Sequence, residues 1–318
     1  MASFLERVKE ATNNLMQAKP SLQDAPSPVK FLLQQGMQVT DRDKDGYTLL
    51  MIAAANSKNP EEIRMLVQMG ARVKDRNKDQ MTPLMIAAVS NTTPAIVKTL
   101  IECGANPNDV DETGTTALMF AAANNLNPEV LIALVEGGAK IDEKDKVGMT
   151  AFMKASTINK KVLAKMGADI FAKDNMGWSS MMHAAYMDSD SDNIKLMISL
   201  GASAKEKRED GTTLLMIAAR HNVYVDVYKT LLKEGVDVNE KNNDGMSAIL
   251  IAAGANQNPD VFKTLVKAGA LINDRDKNGT TPLMFASLGN ISEEIVKTLI
   301  SLGADLKAKD YSGNTAFA

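Results

Sequence analysis

The sequence predicts an all-α repeat protein, an α-solenoid, and three observations support this. One short phrase returns nine times, and every step between copies is 34 residues except one of 29. Each copy leads from a turn into Thr/Ser-x-apolar-Met-x-Ala-Ala or a close variant, which predicts the start of a helix, and a second helical stretch follows. A period of about 20 to 50 residues is typical of stacked arrays. The copies begin at Thr48, Thr82, Thr116, Thr150, Ser179, Thr213, Ser247, Thr281 and Thr315.

Each unit is expected to contain a hairpin-like turn, which we call the finger, then a first helix, a loop and a second helix. In the unit at residues 109–142, the finger spans 109–114. The first helix is expected over about 116–123 and the second over 128–136. Because each unit buries its apolar side only against its neighbours, the chain should read as one array rather than separate globular domains.

The loop between the two helices contains recurrent Asn and Pro residues. Asn59 before Pro60 and Asn127 before Pro128 are expected to supply an N-cap and the first residue of a second helix. Another Asn stands where the first helix must stop, and Asn tolerates the left-handed C′ conformation better than most residues. These first-helix ends are Asn91, Asn125, Asn222, Asn256 and Asn290.

The phrase resembles the ankyrin repeat, whose first helix begins Thr-Pro-Leu-His-x-Ala-Ala. The closest copies are Thr82–Ala88 and Thr281–Ala286, and Ile96–Asn106 looks like the second helix of the family with its Gly-Ala-Asp ending. The resemblance covers about residues 37–318. It implies helix-turn-helix units joined by β-hairpin fingers, and a role in binding other proteins rather than in catalysis.

The resemblance divides the chain into a cap, eight repeats and a partial repeat. Residues 1–40 should form an N-terminal helical cap, with a polar-faced helix over about 2–16 and a second-helix pattern at 27–36. Residues 308–318 match a partial C-terminal repeat, so either the chain is cut short there or the stub folds against its neighbour. The repeats are expected at 41–74, 75–108, 109–142, 143–171, 172–205, 206–239, 240–273 and 274–307.

Two departures from the family pattern stand out. Met replaces the His of the family in seven copies and Leu250 replaces it in one, and we expect this column to belong to the core because Met fills irregular gaps. A Met-lined binding surface is the alternative. Gln80 replaces the finger Gly, so its turn should be strained or of another type. The Met residues are Met51, Met85, Met119, Met153, Met182, Met216 and Met284.

The repeat at 143–171 is five residues shorter than the others. The deletion falls around 151–161, where the Asn and Pro of the loop should stand, so we expect shortened helices or an abrupt turn. It could shape a notch for one partner or be a tolerated deletion, and the second reading is favoured.

Composition excludes several classes of function. Net charge is −3, and the 36 Lys and Arg residues are spread along the chain, which argues against nucleic acid as a partner. No run of about 18 apolar residues suggests a membrane span, and no signal peptide is visible. We therefore expect a cytoplasmic monomer. Secretion by a route that does not use an N-terminal signal is the alternative. The single cysteine, Cys103, should be a small buried side chain rather than a nucleophile.

No catalytic, cofactor or metal site is predicted. The only two histidines, His183 and His221, occupy different phases of adjacent repeats, and no Ser/His/Asp or Cys/His device is supported. His183 is expected to line the core or the groove. The Asp-x-Asp-x-Asp spacing at 188–193 is similar to a calcium loop, but Ser199 stands where the bidentate Glu would fall. Helix capping accounts for these acids.

A basic series follows the finger edge at the 34-residue period. Acidic residues alternate with it, so a solvated salt-bridge edge is the favoured interpretation, and attraction of an acidic partner is the alternative. The series is Arg42, Arg76, Lys144, Lys173, Lys207, Lys241, Arg275 and Lys309.

The resemblance implies that a partner docks on the concave face made by the finger tips and first helices. The residue after the finger Gly is expected to face solvent, as are the residues after Ala-Ala, and aromatic or Met side chains there favour interfaces. The sole Trp, Trp178, is either an interface hot spot or a plug over the joint left by the short repeat. A central patch is expected from Met149 to His221. The candidate contact residues are Tyr47, Met81, Met149, Trp178, Tyr186, Met187, Arg220, His221 and Met246.

Three functions are consistent with these patterns. The leading hypothesis is a non-enzymatic scaffold for protein–protein interaction. The alternative is an inhibitor or regulator of one enzyme, including a host-directed effector. A calcium- or small-ligand-binding protein centred on residues 188–193 and the two histidines is the least favoured. The identity of the partner is not encoded in the repeat framework.

Overall fold

The computed structural model describes residues 28–34, 36–288 and 292–317. The chain forms two compact units, which are residues 1–169 and 170–318. The expected helix over residues 2–16 and the loop residue Asn290 lie outside the described residues. Among those described, no helix has the length and apolar character needed to cross a membrane.

Seventeen α-helices occupy the described residues, and sixteen of them follow one another as eight pairs. The first unit contains α1 (Pro28–Gln34), α2 (Leu49–Asn56), α3 (Pro60–Gln68), α4 (Pro83–Ser90), α5 (Pro94–Glu102), α6 (Ala117–Asn124), α7 (Glu129–Glu136), α8 (Ala151–Lys154) and α9 (Thr157–Lys165). The second contains α10 (Ser180–Met187), α11 (Asp192–Ser199), α12 (Leu214–His221), α13 (Val225–Lys233), α14 (Ala248–Ala255), α15 (Pro259–Lys267), α16 (Pro282–Leu288) and α17 (Glu293–Ser301).

Helices stack by type within each unit. The first helices α2, α4, α6 and α8 pack in sequence, and so do the second helices α3, α5 and α7. In the second unit α10, α12, α14 and α16 make the equivalent stack. The all-α repeat architecture predicted from the 34-residue period is confirmed.

The fingers are tight turns rather than paired strands. The Asp43 N–H donates to the Tyr47 carbonyl at 3.0 Å, and Asp43 Oδ1 accepts from the Tyr47 N–H at 2.8 Å. Among the described residues the fingers form only isolated antiparallel bridges, such as Val110 with Thr116, so these hairpins carry no strand ladder. The side-chain carboxylate takes over the hydrogen bonding that a longer ladder would supply.

Gln80 keeps the same turn as the finger glycines. Its φ is 60°, and it is the single non-Gly residue with positive φ among those described. The neighbouring finger Gly46 has φ of 84°. The expected strain is therefore confirmed, and a left-handed side-chain residue costs about 1–2 kcal/mol.

The Met column belongs to the core, as predicted. These seven side chains are 0–5 % exposed. Met85 also contributes to helix capping, because the Thr82 N–H approaches its Sδ at 3.5 Å while Thr82 Oγ1 accepts from the Met85 N–H at 3.3 Å. The thioether thus meets one N–H donor at the start of α4.

The Asn residues at the first-helix ends do not adopt the expected left-handed conformation. Asn91 is extended, with φ of −89° and ψ of 121°. Its amide donates to the carbonyls of Ala54, at 2.9 Å, and Ser57, at 2.7 Å, in the preceding repeat. Ala54 lies in the last turn of α2, where carbonyls lack a partner within the helix. Asn91 therefore caps the first helix of the repeat before it. The same contacts are made by Asn125, Asn222 and Asn256.

The short repeat keeps this capping contact. The first helix, α8, shrinks to four residues, whereas α9 retains nine and begins after the N-cap Ser156. Asn159 stands inside α9 and donates to the carbonyls of Ala122 and Asn125, both at 3.0 Å. The expectation that the loop Asn is missing is wrong, because Asn159 follows Asn125 by 34 residues.

The basic series forms salt bridges between consecutive fingers. Arg42 Nη2 lies 2.8 Å from Asp75 Oδ1, and Lys241 Nζ lies 2.7 Å from Asp274 Oδ1. Lys207 pairs in the same way with Glu240. The predicted salt-bridge edge is confirmed at these positions, where the acids come from the next repeat.

Candidate functional site

The finger face, defined as the surface made by the fingers and the first helices, carries the predicted contact residues. In the first three fingers, the residue at the position after the finger Gly does not face solvent as expected. Tyr47 is 7 % exposed and Thr115 is 6 % exposed, while Met81 is partly buried. The reason is that the backbone N–H of this residue binds the finger Asp or Asn, and its side chain turns back onto the first helices. Tyr47, for example, packs with Met51 and Ile86.

In the second unit, four rings form a continuous chain on this face. The Trp178 and His183 ring centroids are 5.3 Å apart, and the Trp178 and Tyr186 centroids are 5.5 Å apart in an edge-to-face arrangement. Tyr186 and His221 follow at 4.6 Å. We call Trp178, His183, Tyr186, His221 and the neighbouring Arg208 the aromatic patch.

Three elements position these rings. Trp178 follows the finger Gly177, and the backbone N–H of Trp178 donates to Asp174 Oδ1 at 2.9 Å. His183 and Tyr186 are three residues apart on α10, so both project from one side of that helix. His221 is the last residue of α12, the next first helix. The repeat stacking thus brings residues from successive repeats into one line of contacts.

Asp174 also fixes the His183 ring. Its Oδ2 lies 2.9 Å from His183 Nε2, while its Oδ1 holds the finger turn. The preceding repeat has a similar pair, in which Lys154 Nζ lies 2.8 Å from Asp145 Oδ2. Apolar residues occupy this helix position in the other repeats, namely Ile52, Ile86, Phe120, Ile217, Ile251 and Phe285. His183 lines the face and is half-buried, as the sequence predicted.

Arg208 is a member of the patch that sequence reasoning missed. Its guanidinium carbon lies 5.5 Å from the centroid of the Trp178 ring, within cation–π distance. The sequence does mark this position, because the equivalent residue is Asp or Asn in every other finger and Arg in this finger alone. Asp210 replaces the lost turn acceptor by accepting from the Thr212 N–H at 2.9 Å. The Arg208 backbone still closes the turn through hydrogen bonds with Thr212 and Gly211, while its side chain lies over the Trp178 ring and 3.7 Å from Asp210 Oδ2.

The Trp178 indole N–H and the His221 imidazole are the polar groups of the patch whose environments stand out. The Trp178 indole N–H is buried and meets no acceptor among the described residues. The pKa of His221 lies below its ordinary value, because burial disfavours the charged imidazole and Arg220 repels it. His221 is therefore a neutral ring that stacks on Tyr186 near neutral pH.

The other predicted contact residues lie around the patch or elsewhere. Met187, 66 % exposed, ends α10, and Arg220, also exposed, precedes His221 on α12. Met246 is half-buried in a later finger of the second unit, where its N–H donates to Asn242 Oδ1. Met149 belongs to the first unit and is likewise half-buried.

In the first unit, the finger face encloses an open groove of about 660 Å³. Its apolar lining comes from Tyr47, Met81, Ile86, Val89 and Phe120. Its charged residues are Asp45, Asp79, Asp111, Glu112 and Lys78, which come from three successive fingers. Burial is the main cause that raises the pKa of Tyr47, and nearby carboxylates, Asp79 first among them, raise it further.

The acids at 188–193 make contacts that fit a capping role. Asp190 Oδ1 accepts from the Asp192 N–H at 2.9 Å, and Asp188 Oδ2 accepts from Asn193 Nδ2 at 2.8 Å. Within the described part of the chain, no three His, Cys, Asp or Glu side chains converge as metal ligands would. Cys103 is half-buried rather than buried, and burial raises the pKa of its thiol, so the reactive thiolate is disfavoured.

Comparison with known families gives one clear match. A model described as ankyrin repeats, in three copies, matches residues 15–111, 86–174, 158–242 and 215–310. These overlapping matches cover most of the chain. No curated protein matches it significantly.

Proposed function

Because this chain belongs to the ankyrin repeat family, whose repeats generally mediate protein–protein interaction, we propose that it is a non-enzymatic scaffold that binds a partner protein on its finger face. Members of this family are typically non-enzymatic. We place the protein in the cytoplasm as a monomer, since it has one cysteine and no possible internal disulfide.

The aromatic patch is the observation that carries the proposal. Trp, Tyr and Arg dominate the energetics of protein interfaces, and the patch contains all three within contact of one another. Edge-to-face and cation–π contacts already hold these side chains in place. Binding therefore loses little side-chain entropy, and preorganisation of this kind strengthens affinity.

The surroundings of the patch suit an interface centre. Met187 and Arg220 are exposed at the ends of α10 and α12, so an adaptable apolar side chain and a charged one border the rings.

The test compares two tyrosines of the second unit. Tyr186 is in the patch, whereas Tyr224 is an exposed ring in the loop before α13. Tagged full-length protein would be used for affinity capture from its source organism, with bound proteins identified and quantified by mass spectrometry. We expect Tyr186→Ala to lose the specific partner and Tyr224→Ala to retain it.

Trp178→Ala serves as a second variant, with thermal unfolding measured to establish that it is folded. If both folded patch variants captured the same proteins in the same amounts as the unchanged chain, the assignment of the patch would be wrong. A regulator of one enzyme would use the same face, and inhibition of the captured enzyme by the purified chain would distinguish it from a passive scaffold.

A further inference from the structure

The groove in the first unit has a preformed apolar floor. Tyr47, Ile86, Met51 and Ala55 form one packed cluster, against which Met81 rests. Val89 on α4 and Phe120 on α6 extend the lining. A volume near 660 Å³ lies within the range of about 300–1,000 Å³ that is typical of binding sites, so the groove can take one or two large side chains.

The border of this groove is negatively charged. Four carboxylates line it, from Asp45, Asp79, Asp111 and Glu112, against one ammonium, from Lys78, among the described lining residues. Asp79 and Glu112 are exposed, and neither forms a salt bridge within the described part of the chain. Burial is the main cause of the raised pKa of Tyr47 on the floor, and the negative charge of Asp79 raises it further.

Several acids elsewhere on the first unit form salt bridges with basic residues. Asp75 pairs with Arg42 at 2.8 Å, and Glu102 pairs with Arg64 at 2.8 Å. The groove therefore differs from the salt-bridge edge, where acidic residues of one finger pair with basic residues of the neighbouring finger. Asp79 and Glu112 are carboxylates that form no salt bridge within the described residues, and a cationic partner would relieve the repulsion between the negative charges of this border.

We propose that this groove binds a basic segment of a partner protein, with an apolar side chain against Tyr47, Met81 and Val89 and flanking Lys or Arg residues at Asp79 and Glu112. The proposal rests on the role proposed above for the finger face, and adds the chemistry of the occupant. The apolar floor supplies affinity, and the acidic border selects basic segments and speeds their association.

The experiment is a selection of random dodecapeptides displayed on phage against the immobilised full-length chain. Synthetic versions of the enriched peptides would then be measured by fluorescence anisotropy. We expect enriched peptides to combine one or two large apolar residues with several Lys or Arg. Their Kd should rise at least about fivefold when salt is raised from about 50 to 500 mM, because screening weakens exposed charge pairs.

Matched variants locate the site. Asp79→Asn with Glu112→Gln removes the two free border acids and should weaken peptide binding about three- to tenfold. Asp244→Asn with Glu209→Gln makes the same changes at the equivalent finger positions of the second unit and should leave Kd unchanged. Val89→Lys places a cation in the groove and should abolish binding, with thermal unfolding used to check that the fold is retained.

Four outcomes overturn the inference. Enrichment of neutral or acidic peptides refutes the charge argument, and equal binding by the groove variants refutes the location. Peptides whose binding depends on Tyr186 but not on Asp79 would refute the groove while supporting the aromatic patch. Failure to enrich any peptide refutes recognition of short basic segments. The aromatic patch would still be tested separately, by comparing partner capture by Tyr186→Ala and Tyr224→Ala.

Discussion

Replacing Asn125 by Ala is expected to destabilise the first unit strongly. The Asn125 side chain is 4 % exposed. Its amide donates to the carbonyls of Ala88 and Asn91, both at 2.9 Å, and its Oδ1 accepts from the Asn127 N–H at 2.9 Å. Ala has no group that can replace any of these three bonds. The change therefore removes the cap of α4 and loosens the loop that leads to α7.

The magnitude follows from these contacts. Three hydrogen bonds at about 1 kcal/mol each give a loss of about 3 kcal/mol. Leaving a buried helix-end carbonyl without a donor adds to this, so about 3–4 kcal/mol is expected. Asn125→Asp should cost more than Ala, because a carboxylate would face two carbonyl oxygens.

Asn124 provides the matched control. It is the adjacent residue and the same amino acid, but it is exposed and its amide donates only to the Phe120 carbonyl of its own helix. Asn124→Ala should change the free energy of unfolding by less than about 0.5 kcal/mol. Urea unfolding followed by circular dichroism would measure both variants. Similar losses of stability for the two would refute the capping argument.

Three further predictions concern other features. Gln80→Gly should raise the free energy of unfolding by about 0.5–1 kcal/mol, because Gly accepts the left-handed φ without strain; no gain in urea unfolding would contradict this. Stability should fall as pH is lowered from about 7 to 5, because the depressed pKa of His221 means that the unfolded chain binds the proton first. His221→Gln should make this pH dependence shallower, and an unchanged slope would argue against it. Arg208→Ala should alter the emission of Trp178, the sole Trp, while costing at most about 1 kcal/mol of stability; an unchanged spectrum would contradict the stacking.

The sequence predicted the framework well because its signals are local and repeated. A Thr or Ser before an apolar stretch marks a helix start, and Thr48 does cap α2 by accepting from the Met51 N–H. The Met column followed from the same phase, since a helix position that recurs next to Ala-Ala must face the stack. Local propensity and the 34-residue period therefore agreed.

The role of the loop Asn could not be obtained from local propensity. Asn91 was read through its tolerance of left-handed backbone, whereas its amide acts on carbonyls 34 and 37 residues earlier. Asn159 keeps the 34-residue spacing from Asn125, but the deletion in the same repeat obscures this spacing. Contacts between repeats depend on the stacking geometry, which a single repeat does not reveal.

The candidate site was predicted only in part. Trp178, Tyr186 and His221 were identified by phase, and their rings do meet. Arg208 was overlooked, although the equivalent position of every other finger holds a turn-forming Asp or Asn. The burial of Tyr47 was not anticipated either, since the finger carboxylate that turns its backbone inward acts through a side-chain hydrogen bond.

The Asn cap has a consequence for how the protein is made. The Ala88 carbonyl of the first helix α4 accepts a hydrogen bond from the side-chain amide of Asn125, which lies 37 residues later in the chain. On the ribosome, α4 is therefore complete in sequence before its cap has been synthesised. A repeat capped in this way reaches its full hydrogen bonding only after the whole of the following first helix has been synthesised, so the folded boundary of a growing chain should trail synthesis by about one repeat.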